Sequence, residues 1–197
     1  MQSTKDKILS AVVAHIKDGD NLEQITISKI ATEAEIGKST VYEHFSSKED
    51  LILETYQYLL SNYEAILTAD SQLMDFKSAF LEQIERILYV MKDAKMIMNA
   101  IMNFEQETFL NYGKKLEGCA NEIRDHLKKR FESIIQLGVL EGIIVPQIPK
   151  PYTSQVVQAI ISGLLFQYVN EAMEIEETVL FKLIYEQTLN VIKTNQA

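Results

Sequence analysis

Helix-breaking residues are scarce in this chain, and that scarcity is its tightest constraint. Of 197 residues only 7 are glycine and 3 are proline, and Pro149 and Pro151 share one short stretch. Proline removes a backbone donor and clashes with the preceding turn, and glycine costs backbone entropy. Long stretches free of both, and rich in Leu, Ile, Glu, Lys and Gln, run readily as helices. The chain is therefore expected to be all-α. With 47% hydrophobic and 24% charged residues, it can bury one large or two small cores.

Periodicity locates the helices. Ile8, Leu9, Val12, Val13 and Ile16 recur at helical spacing over residues 5–18, and "DGDN" (Asp18 to Asn21) stops them. Thr26 reads as the N-cap of "ISKIATEA", whose Ile27, Ile30, Ala31 and Ala34 share a face. Gly37 breaks that pattern, and a brief helix follows from about Lys38 to Phe45. "SSKED" restarts the chain: Ser47 is a good N-cap, and Glu49 and Asp50 suit the positive end of the helix dipole. This fourth helix extends to about Leu67. Longer, more apolar helices follow over roughly 72–92, 94–102 and 105–137, the last with candidate breaks at Gly113 and Gly118. "LGVLEGIIVPQIPKPY" (Leu137 to Tyr152) supplies the one long loop, and helices over about 153–172 and 177–194 complete the chain. The expected domains are 1–68 and 69–197.

Composition excludes several classes. Met1 to Lys7 is polar, unlike a signal peptide, and the most apolar run, "VVQAIISGLLF" (Val156 to Phe166), is too short and too interrupted to span a bilayer. Cys119 is the only cysteine, so no intrachain disulfide can form, which fits a reducing cytoplasm. One cysteine and three scattered histidines make no metal-ligand cluster. Neither cofactor nor metal is expected, and the absence of a nucleophile–base pair or phosphate loop argues against an enzyme. The net charge is −9, which disfavours nonspecific polyanion binding. Residues 1–68 hold six Lys+Arg against eleven Asp+Glu, so any contact with nucleic acid must come from a local patch.

Two short helices joined by a tight turn, the second thin and polar, form the helix-turn-helix pattern. Here "ISKIATEA" is followed by a turn at "EIG" and by "KSTVYEHF". With Val41 inward and 100° per residue, Phe45 also points inward, whereas Ser39, Thr40, Tyr42 and Glu43 point outward. Such hydroxyls, an aromatic ring and a carboxylate can meet base edges, thymine methyls and phosphates. Lys38 and Lys48, at the starts of successive helices, can bond phosphates, as can the amides beside Thr26.

The segment "IATEAEIGKSTVYEHFSSKEDL" (Ile30 to Leu51) resembles the tetracycline-repressor (TetR) family of bacterial transcription regulators, whose members typically read I-A-x-x-A-G-V-S-K-G-T-L-Y-x-H-F and then x-S-K-E-x-L. The matches are Ile30, Ala31, Ala34, Lys38, Thr40, Tyr42, His44, Phe45, Ser47, Lys48, Glu49 and Leu51. The resemblance is close over Ile8 to Leu51 and elsewhere is one of helix layout. Three positions depart. Glu35 replaces the turn glycine, so either Glu35 takes a positive φ or the turn differs. Gly37 replaces the N-cap serine, and Ser39 replaces a glycine. The resemblance implies a three-helix DNA-binding domain that uses Thr26, Lys38, Ser39, Thr40, Tyr42, Glu43, His44 and Lys48. It is joined to a helical domain that binds an effector and dimerises.

The last two helices carry apolar stripes wider than one packing face requires. Burial against both the protomer's own domain and a partner would explain that width. The residues expected at such an interface are Val157, Ile160, Ile161, Leu164, Tyr168, Leu180, Ile184 and Val191, with Gly163 permitting close helix approach. Met and aromatic residues concentrate in "YVMKDAKMIMNAIMNFEQETF" (Tyr89 to Phe109). Such side chains adapt to apolar ligands and also fill ordinary cores. Tyr89, Met98, Met102, Phe104, Glu105 and Phe109 are the expected effector wall. The resulting expectation is a cytoplasmic homodimeric repressor that binds a palindromic double-stranded DNA operator and is released by a small apolar effector, with no membrane partner. The acidity keeps open another reading, in which the same fold meets a protein partner instead of DNA.

Overall fold

The computed structural model describes residues 3–20, 22, 24–70, 75–102, 106–145 and 152–194, and of residues 96–102, 106–112, 193 and 194 it describes the backbone alone. The regular structure among the described residues is helical: α1 (Thr4–Lys17), α2 (Ile27–Glu33), α3 (Lys38–His44), α4 (Lys48–Thr68), α5 (Phe76–Met102), α6 (Gln106–Leu140), α7 (Thr153–Val169) and α8 (Glu177–Thr194). Two features differ from the sequence expectation. The helices expected at 72–92 and 94–102 are one helix, α5, because no glycine or proline lies between them. Helix α6 runs through Gly113 and Gly118 without a break. An interior glycine costs a helix about 1 kcal/mol, which a helix of 35 residues can carry.

The chain forms two compact units, Met1–Ala65 with Asp93–Arg124, and Ile66–Lys92 with Asp125–Ala197. Helices α4, α5 and α6 each contribute to both.

In the first unit, Ser3 caps α1 through a capping box: its hydroxyl accepts from the Asp6 amide and the Asp6 carboxylate accepts from the Ser3 amide. Helix α1 buries Ile8, Leu9, Val12 and Ile16, and α2 buries Ile27, Ile30 and Ala31. Helix α2 packs on both α1 and α3. Asp93 on α5 joins three helices: it pairs with Lys17 of α1 at 2.8 Å and accepts from the Tyr63 hydroxyl of α4 at 2.6 Å. Desolvation raises the Asp93 carboxyl's affinity for a proton, but the bonds from Lys17 and Tyr63 outweigh it and hold the group below the usual carboxylate range.

The second unit is built around Phe76, Phe80, Ile84 and Leu88 of α5, Ile134 of α6, Ile161 and Leu165 of α7, and Leu180 and Ile184 of α8. The rings of Phe76, Phe80, Phe131 and Tyr185 meet at tilted or edge-on angles with centroids 5.7–6.3 Å apart, the arrangement their quadrupoles favour. Gly138 is required where α6 ends, because a Cβ there would sit 2.8 Å from Ile144 and 3.0 Å from Phe76. Gln83 is buried but satisfied, donating to the Leu67 carbonyl at 3.0 Å and accepting from Arg130 at 3.4 Å.

Neighbouring residues on α8 test this assignment of faces. Leu180 is fully buried and Val179 is exposed. Leu180→Ala should cost about 2–5 kcal/mol, the usual loss for a large-to-small change in a core, whereas Val179→Ala should change the stability of the protomer little. Urea unfolding at a protein concentration low enough to give monomer checks this, and equal effects would mean that the face is misassigned.

Candidate nucleic-acid interface

The turn into α3 is a Schellman motif. The Glu35 amide donates to the Thr32 carbonyl at 3.1 Å and the Ile36 amide to the Ala31 carbonyl at 2.9 Å. This motif needs a left-handed residue at its apex, and Glu35 takes it with φ 57°. The missing glycine is therefore met by strain rather than by a different turn. The turn after α1 is built the same way with Gly19 at φ 77°, so the two turns differ by one Cβ.

Helix α3 follows, with Gly37 as an N-cap that offers no side chain. Val41 and Phe45 are buried, which fixes the rotation of the helix. Ser39, Glu43 and His44 are exposed, Thr40 is half-buried, and Tyr42 is 53% exposed. Of the outward set the helical wheel predicts, Ser39, Tyr42 and Glu43 are exposed and Thr40 is half-buried, while His44 is exposed outside that set. Lys38 is exposed and Lys48 half-buried. The Thr26 hydroxyl caps α2 by accepting from the Lys29 amide at 3.2 Å. Ser47 caps α4 by accepting from the Asp50 amide at 3.1 Å, and the Asp50 carboxylate turns back to accept from the amide and hydroxyl of Ser46, each at 2.9 Å. Those two bonds, led by the amide, hold Asp50 below the usual carboxylate range. Beneath the face, Lys5 lies 5.4 Å from the centroid of the Phe45 ring and pairs with Glu54.

The other expected sites are less compact. Tyr89 is 56% exposed on α5. Phe104 and Glu105, and the side chains of Met98, Met102 and Phe109, lie outside the described residues. A wide groove of about 870 Å³ opens elsewhere in the second unit, lined by Lys92, Tyr168, Val169, Met173, Ile175 and three glutamates, Glu171, Glu174 and Glu176. Lys92 lies over the Tyr168 ring at 5.4 Å and pairs with Glu177.

Among the expected interface residues, Leu180, Ile184 and Ile161 are buried in the protomer's own core, because the helices turn that edge of each stripe inward. Val157, Leu164 and Tyr168 pack partly against the same core, and Ile160 and Val191 are half-buried. Outward-facing apolar surface is carried by Val156, Phe166 and Val179 instead, none of which is among the expected interface residues. Among the described residues, nothing beyond its chain neighbours and its own helix backbone lies within 4 Å of a Cβ at Gly163, so none of them makes a close helix approach there. Sequence reasoning also missed His15, whose place on the apolar face of α1, one residue before Ile16, was its only signal. No group of His, Cys, Asp and Glu among the described residues could hold a metal ion, and no helix among them is long and apolar enough to cross a membrane.

The strained turn yields a prediction. Left-handed backbone costs a residue with a Cβ about 1–2 kcal/mol, so Glu35→Gly should stabilise the first unit by about 1 kcal/mol. Thermal unfolding would read this as a higher midpoint, and an unchanged or lower midpoint would refute the strain.

Residues 20–55 match the model of the "bacterial regulatory proteins, tetR family". An HTH-type transcriptional regulator of Haemophilus influenzae is 21% identical over 120 residues, 60% of this chain and 64% of that protein. The match thus spans just under two thirds of the relative's length. Two solved structures share the fold. A TetR-family transcriptional regulator of Vibrio parahaemolyticus aligns with TM-score 0.62 and 17% identity over 96% of this chain and 98% of its own. A TetR transcription regulator of Haloarcula marismortui aligns with TM-score 0.63 and 16% identity over 99% of each chain. The family match covers α2, the turn, α3 and the start of α4, the elements that present Tyr42 and its neighbours, so this segment is similar to the tetR family of bacterial regulatory proteins and the whole chain shares the fold of the two solved structures.

Proposed function

We propose that the chain is a DNA-binding transcriptional repressor that reads a palindromic operator as a homodimer and is released by a small apolar effector. The observation that carries this reading is α3 itself. Its apolar side is consumed by Val41 and Phe45, and its outer side offers Ser39, Tyr42, Glu43 and His44 together, with Thr40 at the edge. Tyr42 can lie on a sugar or a thymine methyl with its hydroxyl on a phosphate. Glu43 can accept from a cytosine amino group but repels phosphate, so it discriminates more than it binds. Lys38 and Lys48 supply charge at the groove wall.

A dimer has to set two copies of α3 about 34–36 Å apart to fill half-sites one DNA turn apart. The exposed apolar side chains of α7 and α8 support an interface there. An effector that prefers a differently spaced dimer would weaken operator binding by its differential binding energy. The effector site itself rests on the Met and aromatic density of residues 89–109.

The protein-partner reading draws on the same surface, because residues 1–68 are net acidic and Glu35 and Glu43 are both exposed. One titration separates the two. Wild type should bind a palindrome from its own promoter better than a scrambled duplex, and the preference should survive added salt. Tyr42→Ala should lose operator binding while still dimerising. Lys48→Ala should weaken all duplexes about equally and reduce the salt slope by about one unit per lost phosphate contact per protomer. Equal weak binding of both duplexes by wild type, or full binding by Tyr42→Ala, would move the protein-partner reading to first place.

The interface has its own check. Phe166 is 62% exposed, so Phe166→Asp should leave the protomer folded. In the dimer the same change would bury an unpaired charge at a cost of several kcal/mol. Sedimentation should show a folded monomer at micromolar concentration. If the variant sediments as wild type does, the interface lies elsewhere.

A further inference from the structure

His15 lies in the last turn of α1 and is 5% exposed. Its Nδ1 is 2.7 Å from Oδ2 of Asp20 and its Nε2 is 2.5 Å from Oε2 of Glu33. The two carboxylates come from different places. Asp20 ends the turn after α1, where its amide also donates to the His15 carbonyl at 3.0 Å, so the Gly19 turn sets Asp20 beside the ring. Glu33 is the last residue of α2, directly before the turn that delivers α3.

Hydrogen counting decides the state of the ring. Ionised carboxylates only accept, and a neutral imidazole has one N–H and one lone pair. A neutral ring would therefore face one carboxylate with a lone pair, whereas a ring with both N–H groups satisfies both. The two bonds are then charge-assisted and stronger than neutral ones. The surrounding charges are Lys17 on α1, Asp18 and Asp20 in the turn, and Lys29 and Glu33 on α2. Lys29 lies 3.8 Å from Asp20, and Lys17 is engaged by Asp93 of α5. The bond from His15 is the main cause that holds the Asp20 carboxyl below its ordinary range.

We infer that His15, held as an imidazolium between Asp20 and Glu33, is a positioning residue that pins α2 to α1 and makes presentation of α3 depend on one proton. The inference rests on the DNA-binding reading above for its consequence at the operator, though the pin itself does not need it. The signs at the two ends of the pH scale are opposite. Asp20 has a lowered pKa, so its contribution is present above its ordinary value and is lost as pH falls through the lower folded-state value. Loss of the imidazole proton as pH rises leaves one carboxylate facing a lone pair, so the pin fails on the alkaline side.

The test has two arms on the full chain. In the free protein, nitrogen NMR of the imidazoles at about pH 7 should show both nitrogens of His15 protonated, as the two facing carboxylates require, with the exposed His44 and His126 as references. In the second arm, wild type and Glu33→Gln are titrated with operator duplex from about pH 6 to about pH 9 at fixed ionic strength. Wild type should lose about tenfold in affinity beyond any loss in Glu33→Gln, the scale of one charge-assisted bond. A Gln side chain can accept from or donate to the ring in either state, so in that variant the ring's proton no longer decides the contact. A neutral His15 tautomer at pH 7, or identical pH profiles for the two proteins, would overturn the pin. If the ring is doubly protonated but no duplex binds at any pH, the DNA reading fails and the pin stands.

Discussion

A helix of seven residues cannot hold itself together in water, since nucleation uses most of the free energy that so few hydrogen bonds return. The burial of Val41 and Phe45 is what carries α3. Each removes a side chain from water for about 1.5–3 kcal/mol, and between them they leave the helix one rotation in which both are covered. Tyr42 then faces outward because its neighbours on the chain face inward. The same logic extends backward: α2 is also seven residues long, and it is fixed by Ile27, Ile30 and Ala31 on one side and by Glu33 on His15 at its end. The outward surface of α3 belongs to a short element hung on tertiary contacts, with little local stability of its own.

That dependence explains how much was legible in the sequence. The phase of α3 follows from Val41 and Phe45 alone, so its outward residues could be named without coordinates. The turn was harder. Glu35 lacks the conformational freedom a left-handed position favours, and only the two Schellman hydrogen bonds decide that the chain accepts the strain. His15 was less legible still, because its two partners lie 5 and 18 residues away and no periodic pattern connects them. The sequence expectation divides α5 at Lys92 and Asp93, a polar pair that tertiary contacts require. Asp93 is committed to Lys17 and Tyr63, so its presence reports a joint, not a helix end.

The larger half shows what apolar periodicity cannot resolve. Leu180, Ile184 and Ile161 read as interface residues because a wide stripe contains both an inner and an outer edge. The sequence does not say which edge is which. Coordinates separate them, since Leu180 is covered within the protomer while Val179, one residue earlier, is exposed. The outer edge, with Phe166, is left for whatever covers it.

Asp93 has one carboxylate and two clients on different helices. Within the first unit, α5 cannot withdraw that carboxylate without α1 losing its ion pair or α4 losing its hydrogen bond, or both. Lys17 meets Oδ1 and Tyr63 meets Oδ2, so the two ties do not compete for one atom. Substituting Asp93 would cut both ties at once, whereas substituting Lys17 or Tyr63 would cut one.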